Sequence, residues 1–206
     1  SGSGSGVYAG EAPRPTEFYH GTSLEAILAI QESGFRVDLG YKGEWERESS
    51  GLASDTMGVG GEFVRDLGVS NTFDFDQVVQ ALYAQAAREW GAIGLQLGLR
   101  AEAATTTFNL LTNDESFDNN YRSLFPSAFL SYKPNEALTF RGGYSRRIDR
   151  PRSRSLNPFP SFDDRNNIRQ GNPELRPEYI DAFEVSAAQI TGWGSVSLTP
   201  YYRHTT

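Results

Sequence analysis

The chain has 206 residues, of which 38% are hydrophobic, 13% aromatic and 22% charged, and it carries a net charge of −7. It is too aromatic for a disordered chain and too polar for a helical membrane protein, and no apolar run approaches the roughly 18 residues a transmembrane helix needs. The acidic balance argues against nucleic acid as a partner, and the absence of cysteine excludes disulfides and thiolate metal sites. A membrane β-barrel stays open, because only alternate residues of its strands need be apolar.

Ser1 to Gly6, SGSGSG, reads as a flexible linker outside the fold. Residues 7–35 have a different character from the rest and are expected to be a small strand–helix segment of separate origin. Pro13 and Pro15 make an extended entry, and Phe18-Tyr19-His20 a short strand end. Thr22 or Ser23 then caps a helix through LEAILAIQE, in which Leu24, Ile27, Leu28 and Gln31 recur at three- and four-residue spacing. Gly34 stands where a helix C-terminal glycine belongs. One short N-terminal helix of about ten residues is expected here.

From Arg36 onward the period is two. Strands are predicted over Arg36–Glu48, Phe75–Glu89, Ala92–Phe108, Tyr121–Lys133, Glu136–Ile148, Tyr179–Gln189 and Gly194–His204. The clearest is AIGLQLGLRAE, Ala92 to Glu102. Ile93, Leu95, Leu97, Leu99 and Ala101 fall on one face; Gly94, Gln96, Gly98, Arg100 and Glu102 fall on the other. At roughly 3.3 Å per residue, about ten residues let a tilted strand cross a bilayer, although a half-buried strand of a soluble sheet reads the same way. The stretch FDFDQVVQALYAQAARE alternates poorly and would pass for a helix in isolation.

The connections alternate in length. Trp90-Gly91, Pro134-Asn135 and Thr191 to Trp193 are tight and made of turn formers. Ser49 to Asp74, Asn109 to Asn120 and Asp149 to Glu178 are long and polar. In a meander this puts short turns at one end of the sheet and long loops at the other, as in outer-membrane barrels. Trp90, Tyr121, Tyr132, Trp193, Tyr201 and Tyr202 near the strand ends suit interfacial girdles. The fold class is therefore mainly β, with antiparallel up-and-down strands of a partial transmembrane β-barrel over residues 36–206.

The stretch Tyr144 to Glu184, YSRRIDRPRSRSLNPFPSFDDRNNIRQGNPELRPEYIDAFE, resembles the C-terminal half of a TonB-dependent receptor of the bacterial outer membrane. In that family a strand ending in a YSRR-like sequence gives way to an external loop. The loop closes on a GNP-x-L-x-PE element, here Gly171, Asn172, Pro173, Leu175, Pro177 and Glu178. DLGYKGEWERES, NTFDFDQVVQALYAQ and LGLRAE are similar to other strands of these barrels, so the resemblance covers about residues 37 to 206. It implies a barrel of about 22 strands with a plugged lumen, which takes up scarce nutrients such as ferric siderophores, cobalamin or saccharides with energy delivered through TonB. The implied partners are outer-membrane lipid, a small-molecule nutrient and, through a plug, the TonB complex. With about seven strands and neither plug nor TonB box, the sequence reads as a fragment of such a receptor, not competent for transport alone.

Phe18 to Asp38, FYHGTSLEAILAIQESGFRVD, is similar to the opening strand and helix of ADP-ribosyltransferase-like proteins. That resemblance makes His20, Gly21 and Thr22 contacts to NAD, as an alternative to a structural histidine at a strand-to-helix turn. A soluble β-sheet binding protein is a further alternative.

Only two of the 19 basic residues, Lys42 and Lys133, are lysines, and six arginines lie between Arg141 and Arg154. Guanidinium groups bind carboxylates and phosphates in a planar fork. Arg100, Arg141, Arg147, Arg150, Arg152 and Arg154 are thus the candidate substrate contacts; solvated charge paired with nearby acids is the other reading. Asp114, Glu115 and Asp118 lack the glycine and terminal acid of a calcium loop. No catalytic centre, cofactor or metal is expected.

Overall fold

A computed structural model describes residues 16–53, 55–66, 70–159, 161–164 and 167–206. The expected linker at Ser1–Gly6 and the entry at Pro13 and Pro15 lie outside the described residues. In chain order the elements are β1 (Thr16–Glu32), β2 (Phe35–Leu52), β3 (Asp55–Met57), β4 (Phe63–Arg65), β5 (Asn71–Trp90), β6 (Ile93–Leu110), β7 (Glu115–Asn135) and β8 (Leu138–Asp149). They continue with α1 (Ser153–Leu156), β9 (Ser161–Asp164), β10 (Asn167–Arg169), β11 (Glu178–Thr191), β12 (Gly194–Leu198) and β13 (Tyr201–Thr205). Nine strands make one antiparallel sheet in the order β1-β2-β5-β6-β7-β8-β11-β12, with β13 also on β11. β3–β4 and β9–β10 are separate two-stranded hairpins within the long loops. The sheet is an up-and-down meander, curled but not closed.

All seven predicted strands form, most of them longer than expected. The last is interrupted at Thr199-Pro200, where proline has no N–H to donate. Its pairing with β11 keeps one register across the gap, from Ala187↔Leu198 to Glu184↔Tyr201. The Val185 N–H still donates to the Pro200 carbonyl at 3.1 Å.

The N-terminal helix is a correction. Residues 16–32 are a strand paired with β2 along its full length, from Thr16↔Gly51 to Glu32↔Phe35. Leu24, Ala26, Leu28 and Ile30 also alternate with period two, so both patterns were present; seventeen residue pairs with β2 favour the strand. Ser33 and Gly34, at φ 42° and 76°, make a hairpin turn where a helix end was expected. Among the described residues the helix that does form is the single turn α1, in the loop after β8.

The connection from Asn109 to Asn120 is also shorter than expected. β6 and β7 run on to Leu110 and Glu115, leaving the turn 111–114 with Asp114 at φ 57°. The turns at 33–34, 91–92, 136–137 and 192–193 lie at one end of the sheet. The connections that leave β2, β6 and β8 start from the other end, and those after β2 and β8 are long, as the alternation of lengths predicted.

The register fixes the two faces. On β6, Glu102, Ala104, Thr106, Phe108 and Leu110 are buried on the concave side, while Ala101, Ala103 and Thr105 are exposed. The apolar side changes partway up. Below Glu102 the convex face carries Ile93, Leu95, Leu97 and Leu99; above it the convex face is Thr105, Thr107 and Asn109, and the concave face is apolar. β5 switches likewise, from Leu82, Ala84 and Ala86 on the convex side to Phe73, Phe75, Val79 and Ala81 on the concave side. That change of phase is why its sequence alternates poorly.

The upper concave patch is the core. Phe73, Phe75, Phe108 and Leu110 pack with Leu156 of α1, and Phe117 and Phe159 lie against them. Phe73 and Phe108 have ring centroids 5.0 Å apart. The loop after β8 therefore folds back over the sheet. β7 and β8 pair only below Ser127↔Ser145. Above that point β8 and β11 lean over the concave side of β7, so that the Tyr179 hydroxyl lies 2.6 Å from Ser123 Oγ and the Tyr179 ring stacks on Phe125.

Candidate functional site

The convex face carries an apolar band. Along β5 the convex residues from Trp90 to Val78, about 40 Å of strand at roughly 3.3 Å per residue, are apolar except Gln80 and Arg88, and the Arg88 guanidinium lies over the Trp90 ring at the lower rim. At the strand tilt of about 35–45° usual in barrels this length projects to roughly 28–33 Å, enough to cross an outer-membrane apolar band about 25 Å tall. Trp90, Tyr132 and Phe140 mark the lower rim, the last two stacked with centroids 6.4 Å apart. Above Trp45 and Val78 the convex surface becomes polar: Arg47 pairs with Asp76 at 2.5 Å, and Thr107 donates to Asp118 at 2.8 Å.

The concave face carries the charge. Its lower part encloses a cavity of about 570 Å³, open to solvent and lined by Arg36, Glu89, Gln96, Arg141, Arg147, Glu184 and Arg203 among others. Arg141 and Arg147 thus share one cavity. Pairing carries this surface across the sheet, since β2, β5, β6, β7, β8, β11 and β13 all contribute to it.

Arg100 and Arg150 sit higher and converge on Glu102, whose side chain is 6% exposed. Arg100 Nε donates to Glu102 Oε1 at 2.5 Å, and an Arg150 terminal nitrogen donates to Glu102 Oε2. Arg150 Nε also donates to the Tyr121 hydroxyl at 2.7 Å, with its guanidinium over the Tyr121 ring. Burial lowers the Arg150 pKa, but Tyr121 and Glu102 together outweigh it and leave the group above the ordinary arginine value. Arg152 and Arg154 line a second cavity of about 520 Å³ at the mouth, facing Glu46 and Glu48 across from the loop. The six candidate arginines therefore fall into three groups: cavity, buried pair and mouth.

The GNP-x-L-x-PE residues have a local task. The Gly171 N–H donates to the Asn157 carbonyl at 2.7 Å, and the Asn172 N–H to the Ser155 carbonyl at 2.8 Å. A Cβ on Gly171 would lie 2.5 Å from the Ser155 oxygen, so only glycine permits this approach. Asn172 Oδ1 accepts from the Glu174 N–H at 2.9 Å, and Glu178 opens β11 opposite Asp149. Pro173, Leu175 and Pro177 close over a small space shared with Phe108, Phe117, Arg150 and Leu156. The element thus clasps the returning limb of the loop to α1 and the wall.

His20, Gly21 and Thr22 are not gathered in one pocket: Gly21 and Thr22 line a shallow hollow beside Glu44, Trp45 and Glu46, and His20 stands outside it. They lie within β1, with His20 and Thr22 on the convex side at 3.3 Å from each other and Gly21 on the concave side. The strand-to-helix setting of the NAD reading is replaced by a continuous edge strand.

Glu102 and Tyr121 were not singled out as centres of a site, although Arg100 and Glu102 on one strand face were visible as neighbours. Nothing in the sequence linked either to Arg150.

An apolar convex band, a charged concave face and long loops at one end are the anatomy of an outer-membrane barrel wall. A model of the outer membrane protein beta-barrel family matches residues 20–206. The chain belongs to that family. The bacterial outer membrane is accordingly its place, and lipid surrounds its convex face. The match begins at His20, inside the segment expected to be of separate origin. No curated protein sequence matches the chain.

Its fold is that of part of the barrel in siderophore receptors. The unliganded ferric citrate transporter FecA aligns at TM-score 0.63 and 10% identity over 93% of this chain and 28% of its own. The siderophore receptor PiuA from Acinetobacter baumannii aligns at TM-score 0.61 and 16% identity over 92% of this chain and 31% of its own. The ferric yersiniabactin uptake receptor FyuA from Yersinia pestis aligns at TM-score 0.58 and 11% identity over 93% and 29%. The chain spans less than a third of the length of each. These relatives are receptor and transporter barrels.

Proposed function

We propose that these residues are a wall segment of an outer-membrane receptor that takes up a scarce nutrient, with an anionic ferric chelate preferred over cobalamin or a saccharide. The observation that carries this reading is the concave cavity, in which Arg141, Arg147, Arg36 and Arg203 outnumber the acidic Glu89 and Glu184. Guanidinium forks in such a cleft suit carboxylate, catecholate or phosphate groups on a ligand. Arg152 and Arg154 at the mouth add positive charge on the approach, which raises the local concentration of an anion. Arg100 and Arg150 are engaged by Glu102, and Arg150 also reaches the wall of the mouth cavity. Transport is driven through TonB by way of a plug in the assembled receptor, and no covalent chemistry is required of the wall.

The test is uptake in cells lacking the intact gene, complemented by wild type or by Arg141→Ala with Arg147→Ala. Iron-55 supplied as a panel of ferric chelates, radiolabelled cobalamin and labelled oligosaccharides are compared with and without TonB. TonB-dependent uptake of an anionic chelate, with the half-saturating concentration raised tenfold or more in the double variant, is expected. Uptake of a neutral saccharide alone, or uptake unchanged by the double variant, would overturn the assignment of substrate class and site.

A further inference from the structure

Residues 150–157 cross the concave face from β8 to β2. Arg150 meets Tyr121 on β7 and Glu102 on β6. Leu156 sits among Phe73, Phe75, Phe108 and Leu110 of β5 and β6. Asn157 Nδ2 donates to Asn71 Oδ1 at 3.3 Å, and Ser153 Oγ donates to Glu48 on β2 at 2.6 Å. The segment is a strap over the upper concave face, and the arginines at 152 and 154 ride on it.

One contact differs in kind from the rest. Glu102 is a carboxylate buried in the wall and clamped by two guanidinium groups, one from its own strand and one from the strap. Arg100 alone would balance its charge. The pairing with Arg150 therefore fastens the strap to the wall, and Arg150 stands between Glu102 and the mouth cavity, where it also lines the wall beside Glu46 and Arg152. An anion reaching that cavity meets a guanidinium already held by a fixed carboxylate.

We propose that Glu102 is a positioning residue that latches the strap, and that Arg150 exchanges Glu102 for an anionic group entering at the mouth, which frees the strap. The exchange rests on the reading of the concave face as an anion site; the latch does not. No covalent bond is made or broken: Arg100 still balances Glu102 when Arg150 leaves, and the incoming anion balances Arg150.

The absence of cysteine allows paired spin labels at chosen positions. Labels at Ser155→Cys on the strap and Asn113→Cys on the exposed turn after β6 report strap position, and labels at Asn113→Cys and Glu136→Cys at opposite ends of β7 report wall integrity. Glu102→Gln is expected to raise the population of long Ser155–Asn113 distances at least tenfold with the β7 pair unchanged, and Glu102→Asp to restore most of the short population. Inorganic phosphate should reproduce the effect in wild type, relative to chloride at equal ionic strength, and should add nothing in Glu102→Gln. A Glu102→Gln strap that keeps its short distance, or a β7 pair that changes with it, would overturn the latch. Phosphate without effect in wild type would overturn the exchange and make Arg150 a fixed brace. The strap distances need no nutrient, so failure of the uptake assignment is read separately.

Discussion

Tyr83 on β5 lies over Gly40, its partner on β2, so closely that a Cβ at position 40 would overlap the tyrosine ring. Its hydroxyl reaches past that strand to donate to Glu25 Oε1 on β1 at 3.0 Å. One side chain thus ties three strands at the edge of the sheet, and the missing side chain of residue 40 is what makes room for it.

Gly40→Ala should therefore displace Tyr83 and cost about 1–3 kcal/mol, the range for overpacking a tight contact. Urea unfolding of the detergent-solubilised protein measures this. Gly142→Ala, with open space at its Cβ, is the matched control and should change stability by less than about 1 kcal/mol.

Leu156→Ala should cost about 2–5 kcal/mol of strap docking, because it opens a cavity between Phe73, Phe75, Phe108 and Leu110. Limited proteolysis distinguishes this from global loss: cleavage within 150–177 should accelerate while cleavage of the wall does not.

Gly171→Ala should release the clasp, since the new methyl group meets the Ser155 and Asn157 carbonyl oxygens at 2.5 and 2.7 Å. Two backbone hydrogen bonds, from Gly171 and Asn172, are lost with it, at about 0.5–1.5 kcal/mol each. Hydrogen exchange at those two amides should rise by more than tenfold, with the amide of Lys133, bonded to Ala92 across the sheet, unchanged.

Leu99→Arg puts a charge in the middle of the convex band and should cost about 2–4 kcal/mol in a bilayer, whereas Thr107→Arg above the band should cost about 0–1 kcal/mol. Equilibrium folding into lipid vesicles measures both. Equal costs would place the band elsewhere.

The strands were legible where one face is apolar for their whole crossing, as from Ile93 to Ala101. The sequence of β5 was harder to read because Phe73, Phe75 and Val79 face the strap while Leu82, Ala84 and Ala86 face lipid, and a periodicity summed over both halves cancels. β1 satisfied two periods at once, since Leu24 and Leu28 belong to both patterns, and the choice was made by a partner strand that no local window contains. Asp118 and Asn120 suggested a loop because polarity outside the bilayer looks the same on a strand and on a turn. The arginines were visible as candidates, and the concave placement of Arg141 and Arg147 followed from alternation. What joins Arg150 to Glu102 spans 48 residues, a separation at which composition and spacing are silent.

The change of phase on β5 and β6 also sets height. If either strand slid by a few residues toward the short-turn end, Thr105 and Thr107 or Asp74 and Asp76 would enter hydrocarbon, while Phe73 and Phe108 would leave the surface that Leu156 covers. Sliding the other way would lift Leu97 and Leu99 into water. Displacement in either direction is penalised, so the wall carries its own depth gauge, and the vertical position of the cavity relative to the membrane is written into the same strands that build it.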